Sequence, residues 1–101
     1  MKIKSILVGL SILLLSSQAY AHSLFMSLTD IDDNKIELEG MYSTGEMAVK
    51  TPVKIYRTKD NSLIWQGETD ELGTCIFTRP PEPYEVELDA GPGHQVREDG
   101  I

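Results

Sequence analysis

The chain lacks the residues and motifs that build several common kinds of site. Cys75 is its only cysteine, so neither an intrachain disulfide nor a cluster of thiolates can form. There is no glycine-rich phosphate loop, nucleophile elbow or helical zinc-protease motif. Net positive charge is also missing, because the formal charge is −7 at pH 7. An acidic chain disfavours nucleic acids and anionic membranes as partners. Enzymes of the classes those motifs mark, and nucleic-acid-binding proteins, are therefore disfavoured.

The first 21 residues have the features of an export signal. Two lysines precede an apolar run over residues 6–15, and Ala19-Tyr20-Ala21 forms a small-x-small cleavage site. The run is shorter than the roughly 20 residues of a membrane-spanning helix. We therefore expect a signal peptide over residues 1–21, a single domain over residues 22–101 and a periplasmic location. The mature chain of 80 residues begins at His22 and has a net charge of −9, because both lysines leave with the signal.

After the signal, apolar and polar residues alternate in short runs separated by turn residues. Alternation with a period of two is typical of half-buried antiparallel strands, and no run keeps a helical period. Strands that recur every 8–12 residues or so favour a sandwich. We predict an all-β fold, a small antiparallel sandwich of six or seven strands in which the first two strands pair. Cys75 is expected to be a small buried apolar residue. The clear strands are predicted at residues 23–28, 35–42, 53–57, 63–66, 74–78 and 84–88. Much of the core is predicted to come from Ile55, Trp65, Phe77, Tyr84 and Leu88.

A glycine-rich turn follows the last of these strands and ends on a histidine. The segment is Leu88-Asp89-Ala90-Gly91-Pro92-Gly93-His94. Glycine tolerates positive φ and proline fixes its own φ, so such a turn sets its last residue in a defined place. That residue, His94, is one of two histidines, and the other is His22. Because the first and last strands of a sandwich can end at the same rim, we expect the two histidines to lie close together.

Two histidines, one of them at a free N-terminus, have the chemistry of a metal site. His22 offers its α-amine and an imidazole nitrogen to one ion, and His94 adds a third nitrogen. A near-planar set of nitrogens suits Cu(II) or Ni(II). Carboxylates that orient the imidazoles are expected from Asp89, Glu98 or Asp99. The residues alone also allow a plainer interpretation, in which His22 is an exposed terminus and the glycine turn is only a turn.

The order of four segments resembles the carboxypeptidase regulatory-like family. These segments are Thr51-Pro52-Val53-Lys54-Ile55-Tyr56, Trp65-Gln66-Gly67-Glu68-Thr69-Asp70-Glu71-Leu72-Gly73, Cys75-Ile76-Phe77 and Tyr84-Glu85-Val86-Glu87-Leu88. The resemblance implies a transthyretin-like sandwich of about seven strands, with a hairpin at a Thr-Asp-x-x-Gly turn that Thr69, Asp70 and Gly73 match. In such a turn Asp70 caps the backbone with its side chain and Gly73 takes the left-handed conformation.

Both ends of the mature chain resemble the small periplasmic accessory proteins of nickel and cobalt uptake systems. Ala21-His22-Ser23-Leu24-Phe25-Met26 is similar to their start, and the segment from Leu88 to His94 is similar to their late D-A-G-x-G-H turn. Such proteins work beside an inner-membrane transporter of the energy-coupling-factor type. The resemblance implies a divalent transition metal, nickel or cobalt, held by His22 and His94. Ligand chemistry adds copper as an alternative.

A second hypothesis belongs to a different class of function. In it the chain is a transthyretin-like module without metal that binds a protein or a cell-envelope glycan. Its contacts are expected to be exposed aromatic side chains, namely Phe25, Tyr42 and Tyr56. A copper oxygenase built on His22 would need a substrate surface, for which the chain is short, so we expect no enzymatic activity.

Overall fold

The alternating runs of the sequence form seven β-strands in the computed structural model, which describes residues 23–101. The strands are β1 (Leu24–Asp32), β2 (Lys35–Tyr42), β3 (Pro52–Arg57), β4 (Leu63–Glu68), β5 (Thr74–Thr78), β6 (Tyr84–Asp89) and β7 (Gln95–Asp99). They make two antiparallel sheets, so the predicted all-β sandwich is confirmed. No helix in this part of the chain is long and apolar enough to cross a membrane. The predicted signal peptide and His22 lie outside the described residues.

One sheet has three strands in the order β1-β2-β5, and the other has four in the order β4-β3-β6-β7. The predicted pairing of the first two strands is confirmed, with Leu24 opposite Tyr42 at the open end of the hairpin. Asp33 and Asn34 at its closed end have φ of 34° and 64°. Positive φ at both central residues is what a tight hairpin needs, and aspartate and asparagine tolerate it well.

The core lies between the sheets and is built from alternate residues of β2, β3, β5 and β6. The buried apolar side chains are Ile36, Leu38, Ala48, Val53, Ile55, Cys75, Phe77, Tyr84, Val86 and Leu88. Four of the five predicted core residues are among them. Cys75 is buried as predicted, and desolvation raises the pKa of its thiol.

The prediction that Trp65 belongs to the core is wrong. Its side chain remains 38% exposed, because β4 is an edge strand whose side chains cover the flank of the sandwich. The indole ring packs on Phe77 with 5.9 Å between ring centroids. It also covers Gly67, where an added Cβ would come within 2.5 Å of the ring. Trp65 therefore closes one side of the core.

Strand β7 was not among the clear strands that alternation predicted, because Val96 is its one apolar residue. It is defined by pairing with β6, from Asp89 opposite Gln95 to Glu85 opposite Asp99. Arg97 attaches the outer face of β7 to β3 and β6 through two side-chain contacts. The guanidinium lies 4.1 Å from the centroid of the Tyr56 ring, and Nε donates a hydrogen bond to Glu85 Oε1 at 3.1 Å.

Gly40 in β2 is the point where the two sheets and two of their connections meet. Its N–H donates to the Gly73 carbonyl and its carbonyl accepts from the Ala48 N–H, both at 2.9 Å. An added Cβ would lie 2.5 Å from Leu88 Cδ2 and 3.0 Å from the Ala48 Cβ. Only glycine fits here without displacing the core.

The Thr-Asp-x-x-Gly turn has the predicted local geometry. Asp70 Oδ1 accepts from the N–H groups of Leu72 and Thr74 at 2.8 and 3.0 Å, and Oδ2 accepts from the Thr74 hydroxyl at 2.8 Å. Gly73 has φ of +78°. The prediction of a hairpin is wrong, however. β4 and β5 belong to different sheets, so this turn carries the chain across the sandwich.

Thr69, the first residue of that turn motif, is completely buried and makes a polar link that the sequence did not predict. Its hydroxyl donates to the Ala48 carbonyl at 2.5 Å and accepts from the Thr51 N–H at 2.8 Å. The Thr69 N–H donates to the Thr51 carbonyl at 2.9 Å. These bonds attach the connection between β2 and β3 to the end of β4.

Thr69→Val should lower the free energy of unfolding by about 2–4 kcal/mol, because it leaves two buried backbone groups without partners. Urea denaturation of a chain of residues 22–101 measures the change. Thr69→Ser keeps the hydroxyl and should cost only about 1 kcal/mol through the lost methyl group. Equal losses in the two variants would show that the hydroxyl does not hold this connection.

Asp70 should make the domain sensitive to acid. Hydrogen bonds from the N–H and hydroxyl of Thr74, then from the N–H of Leu72, hold the pKa of Asp70 below its usual value of 3.8. A carboxylate with a lowered folded-state pKa stabilises the fold above its unfolded pKa, and this contribution disappears as pH falls through the lowered value. Wild type should therefore be more stable than Asp70→Ala above about pH 5. In thermal melts from pH 7 to pH 2.5 that difference should shrink below pH 3.8; a constant difference would contradict this role.

Candidate functional site

The turn between β6 and β7 holds His94 through its own backbone. The Ala90 N–H donates to the His94 carbonyl at 2.8 Å, and the His94 N–H donates to the Gly91 carbonyl at 2.9 Å. Gly91 and Gly93 have φ of +110° and +81°. These angles lie in the region that glycine adopts at little cost, which explains the two glycines. His94 thus stands at the end of a closed turn, immediately before β7.

Asp89 organises this turn. Its Oδ1 accepts from the Gly91 N–H at 2.9 Å and from Gln95 Nε2 at 3.1 Å. These bonds, with that from Gly91 the largest cause, lower the pKa of Asp89 below its usual value of 3.8. The carboxylate is therefore ionised at neutral pH and committed to the backbone of the turn. Asp89 therefore positions His94 by holding the backbone of the turn.

The other two carboxylates that were expected near the histidine lie elsewhere. Gln95 pairs with Asp89 at the end of the β6–β7 ladder next to His94. Glu98 and Asp99 pair with Val86 and Glu85 towards the other end. With about 3.3 Å of rise per strand residue, they lie roughly 13 and 16 Å from His94. The structure does not bring these two residues together with the imidazole.

His94 lies at the rim where the described chain begins. The Ser43 N–H donates to the Ser23 carbonyl at 2.7 Å, and the Ser23 N–H donates to Ser43 Oγ at 3.1 Å. Tyr42, the residue before Ser43, meets the imidazole of His94 edge-on, with 6.3 Å between centroids and 79° between the planes. The start of β1 and the β6–β7 turn therefore share one rim. His22, the next residue towards the N-terminus, is outside the described residues.

A cavity of about 320 Å³ opens beside the imidazole and is lined by Tyr42, Thr44, Glu46 and His94. Tyr42 is the last residue of β2, and Thr44 and Glu46 belong to the connection between β2 and β3, which turns back on Tyr42. The Tyr42 N–H donates to the Glu46 carbonyl at 2.8 Å, and the Gly45 N–H donates to the Tyr42 carbonyl at 2.9 Å. This turn was missed because residues 43–51 show no alternation. Its sequence signal is Gly45, which has φ of +93°.

One atom of His94 is left without a partner. Nδ1 is buried and makes no hydrogen bond within residues 23–101. Each nitrogen of a neutral imidazole is either a donor or an acceptor, and burying one unsatisfied costs about 1–3 kcal/mol.

Residues 23–101 contain no group of three or more histidine, cysteine, aspartate or glutamate side chains able to hold a metal ion. His94 is the one histidine in this part of the chain. A site with three or more ligands at this rim would therefore need a donor beyond the histidine, cysteine, aspartate and glutamate side chains of residues 23–101. The predicted α-amine and imidazole of His22 are such donors.

The aromatic residues expected to contact a protein or glycan differ in their surroundings. Phe25 is 55% exposed on β1. Tyr42 and Tyr56 are half-buried. Tyr42 contacts His94, and the Tyr56 ring is covered by Arg97 while its hydroxyl donates to Glu87 at 3.3 Å. Of the three, only Phe25 presents an open aromatic surface.

The rim geometry is the basis for any functional argument about this chain. Comparison of the chain with known protein families, with curated proteins and with solved structures finds no match.

Proposed function

We propose that the mature protein binds a divalent transition metal ion at the rim shared by the start of β1 and the β6–β7 turn. The ion is nickel or cobalt by the resemblance of the two chain ends, and copper is an alternative by ligand chemistry. One observation carries the proposal. Ser23 is hydrogen-bonded to Ser43, and the neighbouring Tyr42 ring packs against His94. The start of β1 and the β6–β7 turn, which are far apart in sequence, are thus brought to the same rim.

Covalent geometry connects this observation to the predicted ligands. Consecutive Cα atoms are about 3.8 Å apart, so His22 is tethered directly to Ser23. In the mature chain its α-amine and imidazole would chelate one ion, and His94 would complete a set of nitrogen donors suited to Ni(II) or Cu(II). All these groups must lose their protons to bind, so affinity should fall as the pH is lowered.

One further feature supports a cation at this rim. The mature chain would have a net charge of −9, which attracts cations. By the resemblance, the proposed role is periplasmic, and the protein passes the ion to an inner-membrane importer or assists it. Catalysis is not part of this proposal.

Removing the His94 ligand should weaken binding. The mature chain starting at His22 should bind Ni(II), Co(II) or Cu(II) in calorimetry, and His94→Gln should lower the affinity at least about tenfold. Circular dichroism should show the same folded content in both proteins, because the turn is held by backbone groups and Asp89. Absence of binding by all three ions in the wild-type chain would reject the proposal.

Blocking the α-amine should have a separate effect. A mature chain whose α-amine is acetylated keeps both imidazoles but lacks the amine donor, so its affinity should also fall about tenfold or more. Mass spectrometry of the exported protein establishes whether it begins at His22. Unchanged affinity in the acetylated chain would show that the amine is not a ligand.

The alternative function, a module that binds a protein or a cell-envelope glycan, has Phe25 in its favour. This side chain is 55% exposed and lies opposite Met41, which is 39% exposed. The other two aromatic residues are occupied by contacts within the domain. We therefore favour the metal-binding function.

A further inference from the structure

Glu46 shares the cavity beside His94 and has a free carboxylate. It lines this cavity with Tyr42 and Thr44. Two other glutamates form ion pairs, Glu85 with Arg97 and Glu82 with Arg57. The Glu46 side chain is exposed and has no hydrogen bond or ion pair within residues 23–101. It is therefore an acceptor at the rim whose lone pairs are available.

The backbone of Glu46 is fixed on both sides. Its carbonyl accepts from the Tyr42 N–H at 2.8 Å. The next residue, Met47, forms a β-bridge with Met41. The same turn is attached to the start of β1 through the 2.7 Å bond from Ser43 to Ser23. Three segments of the chain are thereby held at one rim, and Glu46 carries the one carboxylate among the cavity-lining side chains.

We propose that Glu46 is a ligand of the same metal ion, so that the site combines the imidazole of His94 with a carboxylate oxygen. The inference rests on the proposed metal-binding function and adds to it a donor that the sequence did not predict. A carboxylate beside the imidazole neutralises part of the charge of a divalent ion. Together with the amine and imidazole of His22 it makes a set of nitrogen and oxygen donors, which in tetragonal geometry is typical of Ni(II) and Cu(II).

Other groups at the cavity are poorer candidates. The hydroxyls of Tyr42 and Thr44 are weak ligands of a divalent ion compared with a carboxylate. Asp89 is already committed to Gly91 and Gln95 in the turn. Glu46 alone combines charge, a free side chain and a place on the cavity wall.

The test compares two variants that remove the same charge. Glu46→Gln removes the proposed ligand, and Glu98→Gln removes another exposed carboxylate, at the far end of β7. Titration of the mature chains with NiCl₂ and CuSO₄ should show affinity reduced at least about tenfold for Glu46→Gln. Glu98→Gln should stay within about twofold of wild type, because an exposed charge more than a Debye length away is largely screened at 0.15 M salt.

Electron paramagnetic resonance of the Cu(II) complexes gives a second readout. Loss of a carboxylate oxygen from the coordination sphere should change the copper hyperfine splitting in Glu46→Gln and leave it unchanged in Glu98→Gln. A general loss of negative charge would not alter the splitting, so this signal separates a ligand from an electrostatic attraction.

The outcomes distinguish the two levels of the proposal. If wild type binds and His94→Gln does not, while Glu46→Gln binds as wild type with the same copper spectrum, the role of Glu46 is overturned and the metal-binding function stands. Equal losses in Glu46→Gln and Glu98→Gln also overturn it, because they indicate charge alone. If wild type binds none of the ions, both are rejected.

Discussion

The absence of a side chain at position 40 is the constraint on which the rest of this domain depends. Gly40 donates to Gly73 and accepts from Ala48, so one residue joins the turn before β5 to the connection after β2. The space where its Cβ would lie is filled by Leu88 from the opposite sheet. Leu88 immediately precedes the turn that carries His94. The close approach at Gly40 thus sets how the two turns of the candidate site stand relative to each other.

The fold could be predicted where the sequence alternates. Ile36 and Leu38, or Val53 and Ile55, point to one side of a strand, and the buried faces follow directly from that period. The capping of the turn by Asp70 and the left-handed conformation of Gly73 could likewise be predicted from the local sequence. Trp65 was misplaced because burial depends on whether a strand is central or at an edge, and that is decided by pairing between distant segments. β7 was not predicted for the same reason. It is defined by its pairing with β6, and its one apolar residue makes no alternating pattern.

The candidate site was predicted only in part. The glycine turn and His94 could be inferred because glycine, proline and aspartate have strong local preferences. Tyr42 and Glu46 could not, because their approach to His94 depends on how residues 43–51 fold back and on the register of β1 with β2. Neither leaves a periodic trace in the sequence. Glu98 and Asp99 were expected near His94 because they are close in sequence, but an extended strand carries its residues apart at about 3.3 Å each.

The rim is assembled from pieces of chain around residues 23, 46 and 94, so it is complete only after both sheets have formed. If the proposed metal ion binds there, an unfolded chain would keep the amine and imidazole of His22 but would lose the other proposed ligands. An ion that prefers the complete site would therefore stabilise the folded domain by mass action. If the protein is also exported before it folds, binding of the ion and completion of folding would become a single thermodynamic event.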